Sequence, residues 1–200
     1  MRRKQCEITN KDTIDAILNR CTIGRMATIG KDGYPYITPL NYVYLDNTIY
    51  FHCASAGEKL ENINRDSRVC FEVDIPLAYL DLDYYGEVPE ACLVHQFYHS
   101  VIIRGRAEKV TNLKEKLKAL NGLVKSHESP GREFIPITSN TPAVKLCEVV
   151  AVRIETITGK SDLAQKKNLQ EKKKLATYLL DRNLPGDTEV AHLILGDTNS

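Results

Sequence analysis

Apolar positions along this chain recur mostly with a period of two, in short runs separated by turn residues, and switch to a helical period in only a few places. Thr9 followed by Asp12 matches a capping box, and Ile14, Ile17 and Leu18 form a stripe behind it, so a first helix is predicted over about residues 10–20. "CTIGRMATIG" reads as a strand, and Lys31 to Gly33 as a hairpin turn in which glycine supplies the positive φ. "YPYITPLNYVYL" is a second strand, bulged or open-edged because Pro35 and Pro39 cannot donate to a ladder. Asp46 and Asn47 turn the chain into a third, "TIYFHC". About two helical turns follow in "EKLENINRD", then a fourth strand in "RVCFEVD". Residues 75–96, broken by Pro76, Gly86 and Pro89, give no clear element. "YHSVIIRGRAEKV" is a long strand with a bend or bulge expected at Gly105. A helix over "TNLKEKLKALNGLVKSH" should bury Leu113, Leu117, Leu120 and Val124, and after a loop over 128–142, "AVKLCEVVAVRIETITG" completes the sheet. Six or more antiparallel strands with short helices make a small barrel, whose closure would remove exposed edges.

From about Asp162 the pattern changes to a helix with a thin apolar stripe, and the last residues give no firm assignment. The chain therefore divides into a barrel domain, residues 1–160, and a helical extension, residues 161–200. The lysines at 166–167 and 172–174 read as a solvated helix face balanced by Glu171 and other acids rather than a nucleic-acid patch.

Composition narrows the class. Over 200 residues the apolar share is 42%, the charged share 26% and the net charge +1, an ordinary balance that argues against a nucleic-acid binder. None of the six cysteines forms a CxxC, and the histidines offer no ligand spacing worth acting on, so no metal is expected. The N-terminal residues lead into no signal-peptide core, and no run approaches the roughly 20 apolar residues of a membrane span. A cytoplasmic protein with reduced thiols, away from membranes, is the expectation.

The stretch "IYFHCASAGEKLENI" carries the chemistry. Alternation puts Ile49, Phe51 and Cys53 on one face, read as core, and Tyr50, His52 and Ala54 on the other, read as a ligand wall. Ser55 to Gly57 lead into a helix starting near Glu58, whose N-terminus offers backbone N–H groups and the positive end of its dipole. Gly57 permits close backbone approach, Ser55 offers a hydroxyl and Lys59 a charge, which together suit a phosphate. An ordinary strand-to-helix turn explains the same residues; neither a Walker A nor a Rossmann spacing is present.

The ordered series "GRMAT", "DGYPYITPLNYVY", "IYFHCASAGEKLENI", "RVCFEVD", "SVIIRGRAEKV" and "RIETITGK" resembles the pyridoxamine 5'-phosphate oxidase superfamily over residues 5–160, and within it the nitroimidazole-resistance branch. The resemblance implies a six-stranded antiparallel split β-barrel with flanking helices, binding FMN at the interface of a homodimer. It implies phosphate contacts from Ser55 and Lys59, with Cys53, Ala54, Gly57 and Glu58 around them, and isoalloxazine contacts along Leu40, Asn41, Tyr42 and Val43. His52 would lie by the ring or the substrate, as the catalytic candidate that orients substrate or moves a proton. His99, Ser100 and Val101 would reach the flavin from the partner subunit, although the branch often has an arginine at the position of His99.

The implied activity is an FMN-dependent oxidoreductase that passes electrons from a nicotinamide donor to a small organic acceptor such as a nitroimidazole or other nitroaromatic. A flavin- or haem-binding protein without turnover is the alternative from another class. Pyridoxamine phosphate oxidase activity ranks below both, because the C-terminal region lacks the basic phosphate-binding ending of those enzymes.

Overall fold

The computed structural model describes residues 2–196. After a short 3-10 turn the elements run β1 (Glu7–Ile8), α1 (Lys11–Arg20), β2 (Ile23–Ile29), β3 (Pro35–Asn41), β4 (Val43–Leu45), β5 (Thr48–Cys53), α2 (Glu58–Arg65), β6 (Arg68–Leu80), β7 (His95–Lys109), α3 (Leu113–His127), β8 (Glu148–Asp162), α4 (Leu169–Arg182) and α5 (Asp187–Leu195). The mostly antiparallel sheet has eight strands rather than six, in the order β3-β2-β6-β7-β8-β5-β4, with β1 paired to β8. It is the split-barrel architecture, with the sheet left open between β3 and β4 rather than closed.

Two strands are added relative to the sequence pattern. The expected second strand is two, because Tyr42 interrupts it: β3 pairs with β2, from Ile23 opposite Asn41 to Ile29 opposite Pro35, whereas β4 pairs with β5. Tyr42 turns inward at the switch, its ring edge-on to Phe71 at 4.9 Å and its hydroxyl donating to Leu18 O at 2.5 Å. The other addition is the short β1, with Glu7 opposite Lys160. Pro35 and Pro39 lie on β3, which ends the strand order, where the missing donors cost least.

Contacts group the described residues into two compact units: residues 15–73 with 101–158, and residues 2–14 with 74–100 and 159–196. In the larger unit, Val43, Tyr50, Val149 and Ala151 pack against Ala119, Leu120 and Leu123 of α3. The buried stripe of α3 is thus shifted from the predicted one, and Leu113 is exposed. Asn112 caps α3, accepting from Glu115 N at 3.0 Å. At Gly105 the strand needs no left-handed φ; a Cβ there would lie 2.2 Å from Arg153 O, so glycine serves close backbone approach.

In the smaller unit α1 begins with Asn10 as cap, accepting from Thr13 N at 3.1 Å, in place of the predicted Thr9–Asp12 box. β6 continues through Pro76 to Leu80, and two short 3-10 turns fill the stretch before β7. α4 opens with a full capping box of Asn168 and Glu171. Leu175, Leu179, Val190 and Ile194 of α4 and α5 pack on Ala78, Leu80 and Phe97.

Candidate functional site

The small-residue loop ends in a cradle that begins with the anchoring of α2. Leu60 and Ile63 are buried, and so is Asn62, whose amide donates to Thr28 Oγ1 on β2 at 3.1 Å. Arg65 donates to Asn62 Oδ1 at 2.8 Å and to Ile29 O. These bonds fix the far end of the helix on β2 and so aim its N-terminus. There Gly57 has φ +130°, a conformation open to glycine, and no side chain caps the first turn. Leu60 N and Glu61 N bond to Gly57 O at 2.9 and 3.1 Å, while the N–H groups ahead of them lack intrahelical acceptors.

A pocket of about 190 Å³ opens at this end, lined by Cys53, Ala54, Ala56, Gly57, Glu58, Lys59 and Leu60, with Tyr36 and Thr38 of β3. Lys59 Nζ lies 5.0 Å from the centre of the Phe51 ring. Thr38 Oγ1 is buried and has no hydrogen-bond partner among the described residues. A hydroxyl in that condition costs about 1–3 kcal/mol, which a ligand acceptor would recover. The donor set of helix N–H groups, a hydroxyl and an ammonium fits a phosphate. Glu58 on the lip works against an anion, and the charge of Lys59 offsets it. Burial is the main cause that pushes the Cys53 thiol up, against the effect of Lys59.

The pocket is smaller than the roughly 300–1,000 Å³ of a whole small-molecule site, so it suits one end of a larger ligand. Ser55 is exposed in the loop. It lies outside the pocket lining, and so do Leu40, Asn41, Tyr42 and Val43. Leu40 is half-buried, Asn41 exposed, and Val43 belongs to the core. Tyr42 O is already engaged by His127 Nε2 at 3.0 Å. His99 and Val101 are buried in β7 and Ser100 is half-buried, with His99 and Ser100 in the smaller unit.

The predicted ligand wall is only partly one. Tyr50 is buried, its hydroxyl donating to Glu115 at 2.7 Å while Arg153 Nη1 donates to that hydroxyl at 3.2 Å. It ties β5 to α3 and β8. His52 is exposed and borders an apolar cavity of about 440 Å³ formed by Leu120, Leu123 and Val124 of α3 with Ile137, Thr141, Ala143, Val144, Leu146 and Cys147. Since His52 and Cys53 are neighbours on a strand, the cradle and this cavity open from opposite faces of β5. A ligand touching both would pass around the end of the strand, over Ala54.

Sequence reasoning did not name Thr38, and the half-buried alternation at 36, 38 and 40 that sets it beside Tyr36 at the pocket belongs to the folded β3. Among the described residues no cluster of three His, Cys, Asp or Glu side chains could hold a metal ion, and no helix is long and apolar enough to cross a membrane.

A family model described as pyridoxamine 5'-phosphate oxidase matches residues 10–161, a span that contains the whole cradle. The chain belongs to that family. Solved structures share its fold. One, from Bacteroides thetaiotaomicron and provisionally described as a 5-nitroimidazole antibiotic resistance protein, is 24% identical over 78% of this chain and 86% of its own, with a TM-score of 0.64. A flavocytochrome from Azotobacter vinelandii is 20% identical over 81% of this chain and 72% of its own, at a TM-score of 0.66. An FAD and haem binding protein from Mycobacterium smegmatis is 16% identical over 86% and 79%, at 0.67. No curated protein matches the chain significantly.

Proposed function

We propose that the chain is an FMN-dependent oxidoreductase, acting as a homodimer with the cofactor at the subunit interface and reducing a small organic acceptor such as a nitroaromatic with electrons from a nicotinamide donor. The observation that carries the reading is the cradle: an uncapped helix start, Lys59 and the idle hydroxyl of Thr38 converge on one small pocket in a family of this fold. When bound, the flavin supplies the redox chemistry.

The protein residues supply the rest. The N–H groups at Glu58 and Lys59, the Thr38 hydroxyl and the Lys59 ammonium hold the phosphate. Asn62 and Arg65 keep α2 aimed. His52 orients the acceptor or moves a proton at an imidazole nitrogen, with the cavity beside it excluding water from an apolar substrate. Ile23, Tyr34 and Ile37 are large apolar side chains left exposed on or beside β2 and β3, an edge that suits burial against a second copy.

The test is the visible spectrum of purified protein after FMN is added and the excess removed, with riboflavin in parallel. Retained flavin bands are expected, and Lys59→Ala should weaken FMN roughly 10- to 100-fold while leaving riboflavin little changed. A Soret band in place of flavin would favour haem, as the neighbours from Azotobacter and Mycobacterium allow. A protein that retains neither has lost the case for this function.

A further inference from the structure

A further cavity, of about 350 Å³, lies wholly in the smaller unit and shares no lining residue with the cradle or with the cavity beside His52. Much of it is built by segments outside the family match: Arg3, Gln5 and Cys6 before it, and Asp162, Ala164, Gln165, Lys166 and Lys167 after it. Leu80, Val94 and Phe97 give it an apolar floor.

Its wall is held in place by local bonds. Gln165 Oε1 accepts from Leu163 N at 3.0 Å and from the Cys6 thiol at 3.6 Å, and its amide donates to Ser161 O at 2.6 Å. Ala164 sits at φ +59°, a strained conformation for a residue with a Cβ, and this turn brings the next residues to the cavity rim.

The charges do not balance. Asp162, buried, is the one acid among the lining residues. Arg3 donates to it at 3.3 Å, His95 Nε2 lies 3.4 Å away and Lys160 Nζ 3.8 Å away. One carboxylate thus faces several basic groups, and Lys166 and Lys167 at the rim have no ion pair among the described residues. An apolar floor under an uncompensated cationic rim selects one kind of guest. We propose that this cavity binds a small amphiphilic anion, an apolar body ending in a carboxylate or phosphate, with the body on Leu80, Val94 and Phe97 and the head at Arg3, Lys166 and Lys167. The lysine pair that the sequence presents as a solvated face becomes half of a recognition site.

The experiment is calorimetric titration of the full-length protein with octanoate, octyl phosphate and, as a control of opposite charge, octyltrimethylammonium. One or both anions should bind and the cation should not; the tighter anion identifies the head group. Lys166→Glu with Lys167→Glu should weaken the anion about tenfold or more, since both side chains are on the rim. Val94→Trp, which fills the floor, should abolish binding. Circular dichroism and the melting temperature confirm that both variants fold. Absence of anion binding, equal binding of the cation, or binding that survives both variants would overturn the proposal. None of these outcomes depends on flavin retention, so the site stands or falls apart from the proposed oxidoreductase.

Discussion

Thr38 is the residue on which the cradle can be tested most cleanly. Its hydroxyl lacks a partner among the described residues, so the free protein carries a penalty that ligand removes. Thr38→Val, close in shape, should raise the stability of the flavin-free protein by about 1 kcal/mol in chemical denaturation and weaken FMN about tenfold. A structural threonine would give a loss of stability instead, and that result would detach it from the site. His52 calls for the opposite pattern: His52→Gln should leave FMN retention unchanged and lower kcat/KM for the acceptor about 10²-fold, the lower end of what a positioned acid or base contributes. Such residues differ in how far a sequence shows them. His52 and Lys59 announce themselves by type and by the small residues between them. Thr38 and Tyr36 look like any strand residues, and only the pairing of β3 with β2 fixes which face they present.

Among the elements, β5 and its partners show what the alternation of apolar residues carries and where it stops. Period two located β2, β5 and the core role of Ile49 and Phe51, both fully buried. It assigned Tyr50 to a pocket, yet Tyr50 faces α3 and is held by Glu115 and Arg153, a helix-to-sheet contact with no trace in local pattern. It also read through Tyr42, because a change of pairing partner leaves hydrophobicity intact, and it stopped short at Pro76, because local breakers were outweighed by long-range pairing along β6. The Tyr50–Glu115–Arg153 contact has a pH signature. Donation from Tyr50, joined by Arg153, outweighs burial and holds the Glu115 carboxyl below its ordinary range. A lowered folded-state pKa adds stability above the unfolded value of about 4.3 and loses it as pH falls through the folded value. The difference in melting temperature between wild type and Glu115→Gln should therefore be full at neutral pH and close below about pH 4. In the same sheet Gly105→Ala should destabilise by at least about 1–3 kcal/mol in denaturant titrations, because its Cβ would meet the Arg153 carbonyl.

For the whole molecule, assembly is the first matter to measure. On the proposed dimer, Ile37→Asp should shift sedimentation toward the monomer and reduce FMN retention in step, since the exposed edge and the cofactor would share one interface. Retained FMN in a monomer would separate the cofactor from the dimer. The C-terminal helices bear on a different matter. Arg182 bonds to Asp81 at 2.5 Å and to the buried Asp187 at 2.6 Å, and it also donates to Tyr79 O at 2.8 Å. Leu175, Leu179, Val190 and Ile194 cover Leu80 and Phe97. A chain cut after residue 161, where the family match ends, would keep every family motif yet leave that apolar floor bare. It should collect in inclusion bodies rather than behave as a minimal domain. The tail is thus no detachable appendage: the strand residues beneath it and the helices above it share one core, so a cavity opened on either side should be felt by both.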